Sequence, residues 1–216
     1  MVKKSKKPKK KVVKKSKKPV KKTVKKKKKA VKKKVIKKAK TPTVKVSKGN
    51  LLVSFDPVHE ESAKTEILGL LKEVGENGKI VSFSDGLAEI SVRNPRKAIT
   101  SLLEIAKTNI DQFRYTFNWW PVDVWCKSEL LEMQKEIKKI QKGIKPEEKW
   151  KMDLIKRKLI RNYQGSLIVK LTDVVDKQKI DLNSPDKIIR VELDGERAGI
   201  SLLTPNELLN VPRLRN

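Results

Sequence analysis

Residues 50–92, NLLVSFDPVHEESAKTEILGLLKEVGENGKIVSFSDGLAEISV, decide how the folded part of this chain is built. The first six, Asn50-Leu51-Leu52-Val53-Ser54-Phe55, are an apolar run of strand length that Asp56-Pro57 ends. From Glu60 to Val74 the period becomes helical: Ala63, Ile67, Leu70, Leu71 and Val74 share one face. Glu60 and Glu61 stand in the first turn, where the helix dipole favours negative charge. Gly75 closes that helix and Gly78 opens the next segment. Two short β-rich runs follow, residues 79–83 and 87–92, around Ser84-Asp85-Gly86, a hairpin signal. Pro95 then starts a second helix with Ala98, Leu102, Leu103 and Ile105 apolar.

The order β-α-β-β-α is most of a ferredoxin-like split unit, and the expected module covers residues 49–112. A second module, residues 113–216, begins near Phe113. Residues 114–127 are strand-like, with Pro121 implying a break or an edge position. Ser128 is expected to cap a helix whose first turn holds Glu129 and Glu132. Leu130, Met133, Ile137 and Ile140 form its apolar stripe, and Lys138, Lys139 and Lys142 crowd its end before Gly143. Trp150, Met152 and Leu154 alternate with Lys149, Lys151 and Asp153, the pattern of a half-buried strand. Leu167, Ile168, Leu171, Val174 and Val175 suggest a further helix. Residues 188–193 and 198–203 read as a closing hairpin around Asp194-Gly195, and residues 205–209 as a short helix opened by Thr204. The fold class is therefore α+β.

Ahead of both modules lies a tail, residues 1–48, that holds 26 Lys and no acid, leaving 28 basic against 25 acidic groups in the remainder. The formal net charge of +29 thus belongs to a tail on a nearly neutral body. Its Lys runs are broken only by small or β-branched residues and by Pro8, Pro19 and Pro42, so no apolar face offsets the ordering entropy and disorder is expected. The repeated KKSKKP at residues 3–8 and 14–19 is similar in composition to linker-histone tails. A polycation of this kind seeks a polyanion through counterion release, supplying affinity and little sequence choice. One cysteine, Cys126, excludes an intramolecular disulfide framework. No apolar run is long enough to span a bilayer, and no signal-peptide pattern opens the chain. A secreted or membrane-spanning protein is thereby argued against; a cytoplasmic location, or a nuclear one in a eukaryote, is expected.

The inventory for catalysis is thin. His59 is the only histidine and stands beside two acids at a helix start. Cys126 alternates with Trp125 in a strand-like run, where a thiol is usually buried and inert. Asp56, Glu60 and Glu61 are better explained by the helix dipole than as an acid–base pair. Phosphate-binding glycine loops, nucleophile elbows and metal-spaced Cys/His sets are all missing from the sequence. No enzyme activity, cofactor, metal or small-molecule substrate is expected. What the body offers instead is a basic cluster: Lys149, Lys151, Lys156, Arg157, Lys158 and Arg161 against the single Asp153. Such a stripe faces phosphates, and its arginines are suited to stacking on a base or forking onto a phosphate. A solvated strand edge protected by Lys is the plainer alternative. The four tryptophans, Trp119, Trp120, Trp125 and Trp150, are expected in the core more than as stacking platforms.

Two stretches carry a family resemblance. Pro121-Val122-Asp123-Val124-Trp125-Cys126-Lys127-Ser128, followed by Leu131-Glu132-Met133, resembles the start of the THUMP domain in a tRNA acetylation adaptor family. The likeness strengthens at Ile180-Asp181-Leu182-Asn183-Ser184-Pro185-Asp186-Lys187-Ile188-Ile189-Arg190-Val191-Glu192-Leu193. It continues through Gly195, Ala198-Gly199-Ile200-Ser201 and Leu203-Thr204-Pro205, covering residues 50–211 and leaving the tail outside. The resemblance implies a ferredoxin-like domain followed by a THUMP domain, together binding tRNA by the shape of its acceptor end. It further implies a stand-alone, non-catalytic adaptor that presents tRNA to a separate tRNA N-acetyltransferase making N4-acetylcytidine. Arg114, Pro121, Cys126 and Lys127 match the family's first motif, where Pro and Cys are architectural and Arg and Lys are RNA contacts. Lys156 and Arg157 fall on a strand end where relatives are basic. Asn118 departs from the pattern, which puts one phosphate contact in doubt. The RNA-binding set expected is therefore Arg114, Lys127, Lys149, Lys151, Lys156, Arg157, Lys158 and Arg161. The competing expectation is a general DNA- or RNA-binding protein of chromatin type, driven by the tail.

Overall fold

The LLVSF run lacks polar alternation because its strand is covered on both sides. In the computed structural model, which describes residues 48–158 and 161–216, β1 (Leu51–Phe55) is buried along its whole length. Its alternate residues look in opposite directions: Leu51, Val53 and Phe55 enter the core of the first module, while Leu52 faces the second. The Lys-rich tail up to residue 47, for which disorder is expected, lies outside the described residues.

α1 (Glu60–Glu73), β2 (Lys79–Ser84), β3 (Leu87–Ser91), α2 (Pro95–Thr108) and β4 (Thr116–Pro121) follow in the order the sequence implies. The β2–β3 turn places Asp85 and Gly86 at positive φ (51° and 73°), the left-handed pair that a tight two-residue hairpin requires. The sheet order β2-β3-β1-β4, antiparallel throughout, completes the ferredoxin-like β-α-β-β-α-β unit. Ile67 and Leu71 from α1 and Ile99 and Leu102 from α2 close one face of it, all fully buried.

The second sheet holds β5 (Val124–Lys127), β6 (Trp150–Lys158), β7 (Lys187–Asp194) and β8 (Arg197–Leu203) in the order β5-β8-β7-β6. β6 and β7 run parallel while β5–β8 and β7–β8 are antiparallel, and α4 (Leu167–Thr172) lies in the crossover between β6 and β7. α3 (Leu130–Ile140) and α4 cover one face through Met133, Ile137, Leu167 and Leu171. The other face turns to the first sheet across Leu52, Leu87, Trp120, Val122, Ile188 and Leu203. Both sheets belong to one compact unit.

Three details differ from the sequence reading. The strand-like run 114–127 is divided between two sheets: β4 is the fourth strand of the first, and β5 opens the second. The division follows from Pro121, after which Val122 and Asp123 carry the chain across, bonded to Asn50 and Ile200. Ser128 does not cap α3, because its hydroxyl donates to the Gly195 carbonyl at 2.8 Å and Glu129 takes the cap position. Residues 205–209 are no continuous helix. A single 3₁₀ turn, Pro205–Glu207, is held by the reciprocal Thr204–Glu207 capping box. The chain then adds β9 (Leu209–Asn210) to the outer edge of β4 and ends in α5 (Val211–Arg215) against the first core.

Candidate nucleic-acid interface

Consecutive tryptophans on β4 join the two modules, because strand geometry sends them to opposite faces. Trp119 enters the first core and Trp120 the space between the sheets, both essentially unexposed. Arg190 from β7 lies over the Trp120 ring, 4.4 Å from its centroid, and Arg157 from β6 approaches the same ring at 5.6 Å. Between these arginines sits the buried Glu192, bonded to Arg157 and 3.7 Å from Arg190. Burial pushes the Glu192 carboxyl above, and the Arg190 guanidinium below, their ordinary values. A charge so placed is tolerated only while its partners stay, which makes Arg157 a structural residue of the junction.

A second clasp lies nearby. Buried Glu89 of β3 accepts from Arg197 of β8 at 2.6 Å and from the Gly49 amide at 2.6 Å. Arg197 also pairs with Asp194 at 3.0 Å and covers the Trp125 ring at 4.4 Å, while Trp125 Nε1 donates to the Gly49 carbonyl at 2.8 Å. Gly49 has no room for a side chain: a Cβ there would stand 2.4 Å from Glu89 Cγ and 2.8 Å from the Ile90 backbone. The point where the body begins is thus fixed at the junction, beside Lys48. On the far side, Arg96 of α2 holds Asp123 at 2.6 Å, Glu207 at 2.7 Å and the Leu202 carbonyl at 3.1 Å.

Five of the eight residues expected to bind RNA gather around the β7–β8 turn. Lys156, Arg157 and Lys158 line a cleft of about 480 Å³ with Ser82, Ser84 and Arg197. Lys127 lies across Asp194 and Arg197 in a neighbouring depression that also includes Lys48. Arg161 reaches Glu129, next to the Ser128 that is tied to the same turn. Several of these cations have carboxylate partners already: Lys158 pairs with Asp85, Arg161 with Glu129 at 3.3 Å, and Arg157 with Glu192. The two exposed pairs, Lys158–Asp85 and Arg161–Glu129, hold weakly and exchange for phosphate at little cost, whereas Arg157 is tied to the buried Glu192. Lys127 and Lys156 have no carboxylate partner among the described residues.

The remaining three stand elsewhere. Lys149 and Lys151 are at the opposite end of β6, paired with Asp181 at 2.9 Å and Asp153 at 3.3 Å. Arg114 is at the entry to β4, where Glu66 accepts the amides of Arg114, Tyr115 and Thr116. Asn118 is occupied with Ser54, its amide donating at 3.1 Å. Trp119, Trp120 and Trp150 are buried and Trp125 is covered by Arg197, so none of the four offers a free stacking face. Sequence reading missed Arg197, Arg190 and Arg96. The signals for Arg190 were its charge, two residues before Glu192 and between Ile189 and Val191, and its place in the run that carries the family resemblance.

The residues weighed for catalysis are not brought together as a site. Burial pushes the Cys126 thiol up to about 11, away from the thiolate a nucleophile needs. His59 Nδ1 lies 2.8 Å from Asp56 on an exposed turn and its ring tilts over Tyr115. The His59 contact, ahead of the Val58 amide, holds the Asp56 carboxyl below its usual range. Among the described residues no group of three or more His, Cys, Asp or Glu is gathered to hold a metal.

No family model matches the chain, and no curated protein sequence matches it. Among solved structures, the chain is similar to PH1313 from Pyrococcus horikoshii OT3, at 14% sequence identity over 71% of this chain and 54% of that one, with a TM-score of 0.50. TrmN from Thermus thermophilus aligns at 13% identity over 70% of this chain and 44% of that one, with a TM-score of 0.47. A 4-thiouridine synthetase, solved with RNA and bound ATP, aligns at 11% identity over 76% and 42%, with a TM-score of 0.44. The chain spans about half the length of these proteins or less. At such identity, what this chain shares with PH1313 is its fold.

Proposed function

We propose that this protein is a tRNA-binding, non-catalytic adaptor whose second module is a THUMP domain. It presents tRNA to a separate tRNA N-acetyltransferase for N4-acetylcytidine formation. The observation that carries the reading is the convergence of Lys127, Lys156, Lys158 and Arg161 around one turn at the mouth of the two-module junction that Arg157 and Arg197 lock from inside. The fold shared with PH1313 and the motif resemblance at residues 121–133 and 180–205 support it. Cations set at fixed spacing on a stiff frame suit the phosphates of an A-form stem, which proteins read by shape more than by base edges. The Lys-rich tail adds salt-sensitive affinity and speeds encounter without choosing the RNA.

The tail's composition also favours a second reading, a general nucleic-acid binder in which the body is passive. Binding of the full chain and of residues 45–216 to tRNA and to a duplex DNA of equal charge, across a salt series, separates the two. The adaptor predicts that the body alone binds more weakly, with a shallower salt slope, and keeps its preference for tRNA. Loss of both binding and preference with the tail would overturn it.

A further inference from the structure

On the other side of the junction the two modules enclose a groove of about 490 Å³ between α2, α5 and the loop at residues 181–186. Its floor is aliphatic: Leu103, Ile188 and Leu208 line it, and Leu214 forms a lip that is 39% exposed. Lys107, Lys151 and Arg213 stand around it, and among the described residues no acidic one lines it. The loop wall is stiff because Asp181 accepts the amides of Asn183 and Ser184 at 3.0 and 2.9 Å while Lys149 holds its other oxygen. Leu182, next to the groove-lining Asn183, projects 70% exposed into solvent.

We infer that this groove is a docking site for a protein partner, and that it takes a short acidic segment bearing aliphatic anchors. The ligand chemistry follows from the lining. Unpaired nucleotides are held chiefly by aromatic side chains on which bases stack; among the described residues the groove is lined by no aromatic residue, and Arg213 is its one guanidinium. Its leucines and isoleucine fit aliphatic side chains, and its three cations complement carboxylates flanking them. Among the described residues Lys107 and Lys151 each pair with one carboxylate, Glu104 and Asp153, outside the groove. Arg213 makes no ion pair among the described residues. The Lys-rich sequence of residues 1–48 carries no acid and so has none of the carboxylates that this lining complements. The site is separate from the cations around the β7–β8 turn and stands whether or not those bind RNA.

The test uses the full-length protein, isotopically labelled, titrated with two peptides of equal charge: one alternating Glu with Leu, the other Glu with Ser. Both meet the tail equally, so the difference between them reports the groove. Expected are amide shifts at Lys107, Asn183, Ser184, Asn206 and Arg213 with the Leu peptide only, and a loss of about tenfold in its affinity in a Leu214→Asp, Arg213→Glu variant. That variant changes exposed positions, and its melting temperature is recorded beside the wild type. tRNA binding is measured in parallel and is expected to weaken less than the peptide affinity, which distinguishes failure of this site from failure of the adaptor reading. Equal behaviour of the two peptides would overturn the proposal. So would an adenosine hexanucleotide that shifts the groove amides in place of the peptide, or a dimer abolished by Leu214→Asp.

Discussion

The two clefts beside the junction are bordered by the same strand and differ in what they offer. At its C-terminal end β6 contributes Lys156, Arg157 and Lys158 to a polar cleft shared with the β2–β3 hairpin. At its N-terminal end it contributes only Lys151 to a groove floored by leucine and isoleucine. The same contrast recurs within one dipeptide. Lys156 has no carboxylate partner among the described residues, whereas Arg157 turns inward to a buried glutamate and a tryptophan ring. Sequence position along a basic stripe therefore says little about role; the strand's alternation and what lies beneath each residue say more.

The strongest way to break the comparison is to damage one cleft while sparing the other. Leu209→Ala hollows the fully buried contact of β9 with the first core, and β9 with α5 walls only the aliphatic groove. A loss of about 2–5 kcal/mol is expected in urea denaturation. An unchanged midpoint would mean that β9 is not packed as described. Next in size is the neighbouring pair. Arg157→Ala leaves Glu192 with Arg190 alone at 3.7 Å and should cost about 2–3 kcal/mol, below a fully unpaired charge. Lys156→Ala should leave stability within about 0.5 kcal/mol. In exchange it lowers the salt slope of tRNA binding by about one. If both substitutions affect binding alone, Arg157 is a surface contact and the contrast drawn above fails.

The smallest effect is a titration. The Ser184 amide, Lys149 and the Asn183 amide hold the Asp181 carboxyl down to about 2. Because the folded value is depressed, the loop's stabilisation is full above about pH 4, the ordinary carboxylate range. It is lost as the pH falls through about 2. A carbon NMR titration of Asp181, with amide exchange at Asn183 and Ser184, reads this directly. A midpoint near the ordinary 3.8 would show that the groove's loop wall is not tied in this way.

Much of the first module was legible because its signals are local. The period of residues 60–74, the Ser84-Asp85-Gly86 turn and Pro95 each act within a few residues and agree with one another. The parting of β4 from β5 was not, since both are apolar and their partners lie far along the chain. The resemblance located the second module through its hairpin, and the basic stripe was found from charge density alone. Density does not reveal that Arg157 has its partner 35 residues away or that Arg197 is matched to Glu89 on the other module. The cations that converge came from sequence; the inward role of Arg157, and Arg190 and Arg197 with it, came only from pairing.

β9 and α5 have a consequence for how the protein is made. Domains commonly fold as units while the chain is synthesised from its N-terminus. Here Leu209 pairs with Trp119, and Arg215 closes on the Phe113 carbonyl of a segment made 102 residues earlier. Until those residues emerge, β4 presents an open strand edge beside the half-built second module, a template for wrong pairing. The first module is thus begun early and finished late. Order of synthesis and order of completion part company, and the interval between them is when a nascent chain of this protein most needs shielding from its neighbours.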